Sequence, residues 1–135
     1  ARTPMQWDTS EHAGFTTGTP WLPANENYHT INAAAEAQDA DSVLSYYKQI
    51  IRLRKTKPVL LDGVYEELLA DNEQIYAFSR TAGNRRIVTA INFSTEEAQL
   101  PAGFLKGVRL IGSYADAPKA ALRPLEAVVY EEEVK

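Results

Sequence analysis

The sequence predicts a mainly β fold, a small antiparallel β-sandwich, preceded by one helix and, before that, a loop segment. Three observations predict it. Residues 59–131 hold short runs rich in β-branched and aromatic side chains, separated by Gly, Asn and Asp turns. Residues 42–54 hold the single stretch of helical periodicity. The first forty residues have neither period, yet they contain both tryptophans.

That first segment is rich in Thr, Gly, Pro and Asn, with Trp7, Phe15, Trp21 and Tyr28 spread along it. Disordered segments are poor in aromatics, and a long structureless loop is uncommon inside a compact domain. The segment therefore reads as ordered by packing on something outside it, with the aromatics as packing anchors rather than sugar-stacking platforms. From Asp39 the pattern changes. Asp39 or Asp41 is placed to cap a helix, and Val43, Leu44, Tyr47, Ile50 and Ile51 follow at helical spacing. Pro58 stops it.

From Val59 onward strands and turns are expected. Gly63–Leu69 is one run and Asp71-Asn72 a turn. Gln74–Arg80 alternates, with Ile75, Ala77 and Ser79 on one face and Tyr76 and Phe78 on the other. Gly83-Asn84 marks a hairpin into Arg86–Phe93, a β-branched run suited to the sheet centre. Weaker strands are expected at 98–100, 108–113 and 127–131. Glu131-Glu132-Glu133 reads as a solvated acidic tail.

Composition excludes several function classes. The 135 residues carry a net charge of −4, with no basic footprint for nucleic acid. Arg52, Arg54, Lys55 and Lys57 read as a solvated helix end, where cations suit the dipole. With no cysteine, disulfides and thiolate zinc sites are excluded, which is compatible with a cytoplasmic setting. No apolar run approaches the ~20 residues that span a bilayer, so no membrane partner is expected. His12 and His29 lie in loop contexts without HExxH spacing, so no metal is expected. GxSxG, GxGxxG and P-loop patterns are absent, and no cofactor is implied. Glycosidic hydrolysis usually needs two carboxylates. Asp8 and Glu11 are the nearest candidates here, and both read more simply as surface or capping groups. No catalytic residue is assigned. Ala1 opens the chain and Met5 is its only methionine, which suggests a piece of something longer.

Ala1-Arg2-Thr3-Pro4-Met5-Gln6-Trp7-Asp8 resembles a stretch of glycoside hydrolase family 13, in its oligo-1,6-glucosidase branch. The resemblance continues through His12–Gly18, Pro20-Trp21, Asn27-Tyr28 and Ile31-Asn32. It extends along the helix in Tyr46-Tyr47-Lys48, Ile50-Ile51 and Leu53-Arg54-Lys55. It then covers Ile75–Phe78, Ala90–Ser94 and Leu122-Arg123-Pro124. It implies that residues 1–57 are the tail of a catalytic (β/α)8 barrel, its terminal loop and last helix, and that 58–135 are the C-terminal antiparallel β domain. Active sites of such barrels sit at the strands' C-terminal ends, so the catalytic carboxylates would lie upstream. Arg2 resembles an arginine that binds the terminal glucose. The implied parent is a retaining α-glucosidase acting on short α-glucoside oligosaccharides, with α-1,6 linkages favoured. Parents related to trehalose-6-phosphate hydrolase, trehalose synthase or sucrose isomerase remain open. So does a carbohydrate-binding module using exposed Tyr65, Tyr76 or Tyr114. The expected partners are the sugar and the upstream barrel, with self-association of the isolated chain through its uncovered aromatics.

Amide exchange of the isolated chain should be fast over much of residues 1–40 at low concentration. Uniformly slow exchange there in a monomer would show that the segment needs no outside surface.

Overall fold

The computed structural model describes residues 2–134. It forms two compact units, Ala1–Leu53 and Arg54–Lys135.

The first unit is built from turns and short helices. Single 3-10 turns cover Glu11–Gly14 and Glu26–His29. Helix α1, Ala33–Gln38, stands where no helix was expected. Its signal was local: Asn32 precedes an alanine-rich run, and its side chain accepts from the Ala35 N–H at 2.9 Å, an ordinary N-cap. Helix α2, Val43–Thr56, forms where the periodicity placed it. Its cap differs from the expectation. Ser42 Oγ, not Asp39 or Asp41, accepts from the Ser45 N–H at 3.1 Å. Asp39 instead closes a turn, accepting from the Asp41 N–H at 2.9 Å. Ser42 is the better placed because its oxygen lies three residues ahead of an unpaired helix donor. Glu36 Oε2 accepts from the Leu44 N–H, satisfying a further one.

The second unit is an antiparallel sandwich. Its five-stranded sheet runs β1-β2-β3-β7-β5, from Val64–Leu68, Ile75–Ala82, Arg85–Asn92, Ala127–Glu133 and Val108–Gly112. A two-stranded sheet pairs β4, Ala98–Gln99, with β6, Ala121–Leu122. Every pairing is antiparallel. The β2–β3 hairpin closes through two residues. Gly83, at φ +58°, takes the first position, where such turns favour glycine.

Alternation along β2 decides where the core lies. Ile75, Ala77 and Ser79 are buried, while Tyr76 is exposed and Phe78 half-buried. The inward face of the large sheet meets the small sheet around Ile75, Ala77, Ala90, Val128 and Tyr130, with Ala98 and Leu122 opposite. The other face of the large sheet carries α3, Val59–Asp62, a short helix where a strand was expected to begin. Pro58 explains the difference. Its φ of −54° is already helical, so it starts α3 rather than an extended run.

The acidic end is not a solvated tail. Glu131–Glu133 belong to β7 and lie opposite Ile87, Arg86 and Arg85 in register. Glu131 accepts from Lys57 Nζ at 2.6 Å and Glu132 from Arg86 Nη1 at 3.4 Å. Lys57 is thus half-buried in an ion pair rather than part of a free basic helix end. Strand pairing between Arg85-Arg86 and an acidic run neutralises both.

Leu122 is fully buried between the sheets and Val108 is 67% exposed. Leu122→Ala should lower the unfolding free energy of this unit by about 2–5 kcal/mol. Val108→Ala should change it little. Denaturant titration of the two variants checks the contrast.

Candidate functional site

Arg2 is exposed at the start of an extended segment. Residues 6 and 7 of that segment serve the N-terminus of α1. An α-helix begins with four N–H groups that lack intrahelical partners. The Ala33 N–H donates to the Gln6 carbonyl and the Ala34 N–H to the Trp7 carbonyl, both at 2.9 Å. The Ala35 N–H is taken by the Asn32 side chain, and the Glu36 N–H makes the first intrahelical bond, to the Asn32 carbonyl. The donors of Ala33, Ala34 and Ala35 are thus all satisfied, two of them by the segment that carries Arg2. Gln6 adds a second tie, its amide donating to Asn27 Oδ1 at 3.0 Å and to the Ile31 carbonyl at 2.6 Å. The segment is therefore fixed within its unit by main-chain geometry, four residues from the Arg2 side chain.

Beyond Trp7 the chain makes a tight loop. The Trp7 N–H donates to the Ala13 carbonyl at 2.9 Å, and the Ser10 N–H donates to Asp8 Oδ1 at 2.8 Å. The Ser10 hydroxyl donates to the same oxygen. His12, Ala13 and Gly14 all have positive φ, a region that costs non-glycine residues free energy. At Gly14 a Cβ would lie 2.7 Å from Asp8 Oδ1, so glycine is required on two counts. Both hydrogen bonds from Ser10 hold the Asp8 carboxyl below the usual aspartate range, which suits an ionised turn-former and not a general acid. Glu11 is exposed, with His12 Nε2 at 3.7 Å. The structure thus puts Asp8 to structural use, as its sequence context suggested. No group of three His, Cys, Asp or Glu able to hold a metal occurs among the described residues.

Two further features lie in the sandwich. On the outward face of β1–β2, Tyr65, Phe78 and Tyr76 form a row, with ring centroids 5.7 and 5.6 Å apart. The two tyrosine hydroxyls lie 3.1 Å apart. That hydrogen bond is the main cause pushing the Tyr65 hydroxyl up to about 12. The second feature is Glu126, which is fully buried. It accepts from the Arg123 N–H at 2.8 Å, Arg123 Nε at 3.0 Å and Arg123 Nη2 at 2.7 Å. Arg123 also donates to Asp116 Oδ1 at 2.8 Å and lies 4.0 Å over the Tyr114 ring. Sequence reasoning gave Glu126 no site role, although it stands in the Leu122-Arg123-Pro124-x-Glu126-Ala127 motif of the resemblance, three residues after an arginine and just before an apolar strand.

Comparison with known proteins shows the family. Residues 1–63 match the family described as alpha amylase, catalytic domain. An oligo-1,6-glucosidase of Parageobacillus thermoglucosidasius is 45% identical over 97% of the chain, which covers 25% of that relative. The chain belongs to glycoside hydrolase family 13. A trehalose-6-phosphate hydrolase of Bacillus subtilis (strain 168) is 37% identical over 96% of the chain and 25% of that protein. Among family 13 crystal structures, isomaltulose synthase from Klebsiella sp. LX3 superposes with a TM-score of 0.85. It is 40% identical over 96% of this chain and 24% of that one. The chain thus spans about a quarter of the length of these relatives.

The Glu126 carboxyl feels opposing effects. Burial pushes it up, and the bonds from Arg123 more than offset this, so it sits below the ordinary glutamate value. A lowered folded value means the pair contributes fully above that ordinary value and is lost as pH falls through the folded one. Glu126→Ala should cost about 3 kcal/mol near neutrality. The stability gap between wild type and variant should close on acidification, as read from unfolding midpoints against pH.

Proposed function

We propose that this chain is the C-terminal part of an α-glucosidase that hydrolyses terminal α-glucosidic bonds of short oligosaccharides with retention, α-1,6 bonds foremost. In this reading residues 1–57 end the catalytic barrel, residues 58–135 are the β domain that follows it in the sequence, and the chain alone is inactive. The observation that carries it is the docking of the Gln6-Trp7 carbonyls on the α1 N-terminus. It fixes the backbone near Arg2 while leaving that guanidinium exposed and able to meet a sugar bound by the rest of the enzyme. A planar fork of donors suits adjacent hydroxyls. The catalytic nucleophile and acid–base would be supplied by the remaining three-quarters of the protein. A cytoplasmic setting accords with a chain that has no cysteine to oxidise. The names of the relatives also admit trehalose-6-phosphate hydrolysis or sucrose isomerisation by the parent.

A carbohydrate-binding role for the β domain is the second reading. The exposed Tyr65 and Tyr76, flanking the half-buried Phe78 on one sheet face, favour it, since buried rings would have no access to sugar.

The chain should release no glucose from isomaltose, whereas the longer protein should. Arg2→Ala in the longer protein should lower kcat/KM by about a hundredfold, and Arg2→Lys should restore little of it. Release by the chain alone would return Asp8 and Glu11 to consideration as catalytic groups.

A further inference from the structure

The outer surface of the small sheet is concave, and the cause can be read from its alternation. Ala98 and Leu122 point into the core, so Gln99 and Ala121, paired across β4–β6, point outward. Glu97 and Arg123, one residue beyond, fall on the same outward face by the two-residue period. A small residue at 121 between three long ones leaves a low floor with high walls. The loop 116–120 covers one side, adding Asp116, Ala117, Pro118, Lys119 and Ala120 to the lining. The result is a pocket of about 350 Å³, within the range of small-molecule sites.

The pocket is held open by the fold. Both ends of its covering loop are tied. Arg123 donates to Asp116 Oδ1 at 2.8 Å and to the Asp116 carbonyl at 3.0 Å. The Leu100 N–H donates to the Ala120 carbonyl at 2.9 Å. Arg123 is in turn fixed by the buried Glu126 carboxylate. Gln99 is oriented by its amide, which donates to Glu97 Oε1 at 3.1 Å. Such prior ordering lowers the entropy lost on binding. The pocket opens on the side of the sandwich away from α3, which packs on the opposite face of the large sheet.

Its chemistry selects a ligand class. Glu97 and Lys119 bring one charge of each sign, while Asp116 and Arg123 are paired with each other and Arg123 also with Glu126. The balance gives no preference for an anion or a cation. It offers alternating acceptors and donors around a lining of alanine and proline. A pyranose has the matching pattern: hydroxyls that both donate and accept around its edge, and C–H groups on its face. We propose that this pocket is a noncatalytic subsite for a neutral glucosyl unit. The subsite is independent of Arg2 and of any reaction carried out by the longer protein.

The test is a backbone-amide NMR titration of this chain with isomaltose, with inorganic phosphate as the ionic control. Isomaltose should give saturable shifts at Gln99, residues 117–121 and Arg123, with a dissociation constant in the millimolar range. Ala121→Leu raises the floor without entering the core. It should weaken binding at least about tenfold while leaving core amides such as Ile87 and Val128 unmoved. Three results would overturn the proposal: no saturable shift at these residues, equal shifts with phosphate, or unchanged affinity in Ala121→Leu. Shifts confined to Tyr65, Tyr76 and Phe78 would move the sugar site to the aromatic row and also overturn it. Because the readout is binding, it can fail while the α-glucosidase reading stands, and the reverse.

Discussion

A buried carboxylate has to be matched, and in the sandwich the matching of Glu126 organises what surrounds it. With no exposed surface, Glu126 would be costly as a lone charge. Three donors from Arg123 meet it, one from the main chain and two from the guanidinium. The main-chain bond fixes the turn between β6 and β7, in which Leu125 adopts φ +55°. The Asn92 side chain is equally buried and bridges the Glu96, Leu122 and Arg123 carbonyls. Between them, the two polar side chains fasten the small sheet to the centre of the large one. The remaining reach of Arg123, to Asp116 and over Tyr114, then extends that rigidity to an exposed loop.

The first unit is organised by a different constraint, the unpaired donors of a helix start. Short helices are marginal in water, and α1 has only six residues. It persists because each first-turn donor has a partner, two of them supplied by carbonyls from residues 6 and 7. The same bonds that complete the helix hold the segment that carries Arg2. One set of hydrogen bonds therefore links the stretch most diagnostic of family 13 to a helix that sequence periodicity did not reveal.

What the sequence made legible follows from range. Features set by neighbours in the chain were readable: the period of α2, the alternation in β2, the Gly83-Asn84 hairpin. The β-sandwich and its family were readable because several motifs occur together. Features set by partners far along the chain were not. Glu131 looks like part of a solvated run until Lys57, seventy-four positions away, is seen beside it. Glu126 looks unremarkable until burial shows that Arg123 must answer it. The exposed Arg2 keeps a role that rests on resemblance, because its proposed ligand lies outside the described residues.

The two units also differ in how their order is sustained. Ordering the backbone costs about 1–2 kcal/mol per residue, and a hydrogen bond returns only about 1 kcal/mol net. Apolar burial must supply the difference. The sandwich has such a core. Among the described residues of the first unit, Ala13 is the buried apolar one, alongside the polar Asn32 and Ser42, while Trp7, Phe15, Trp21 and Ile31 are each about half exposed or more. The apolar face predicted for α2 is likewise exposed at Val43, Tyr47 and Ile51. A unit so rich in hydrogen bonds and so poor in buried apolar area has its hydrophobic contribution still unspent. This supports the proposed contact with a preceding barrel more directly than any single motif does. The half-exposed and exposed aromatics of this unit are the ones such a surface would cover.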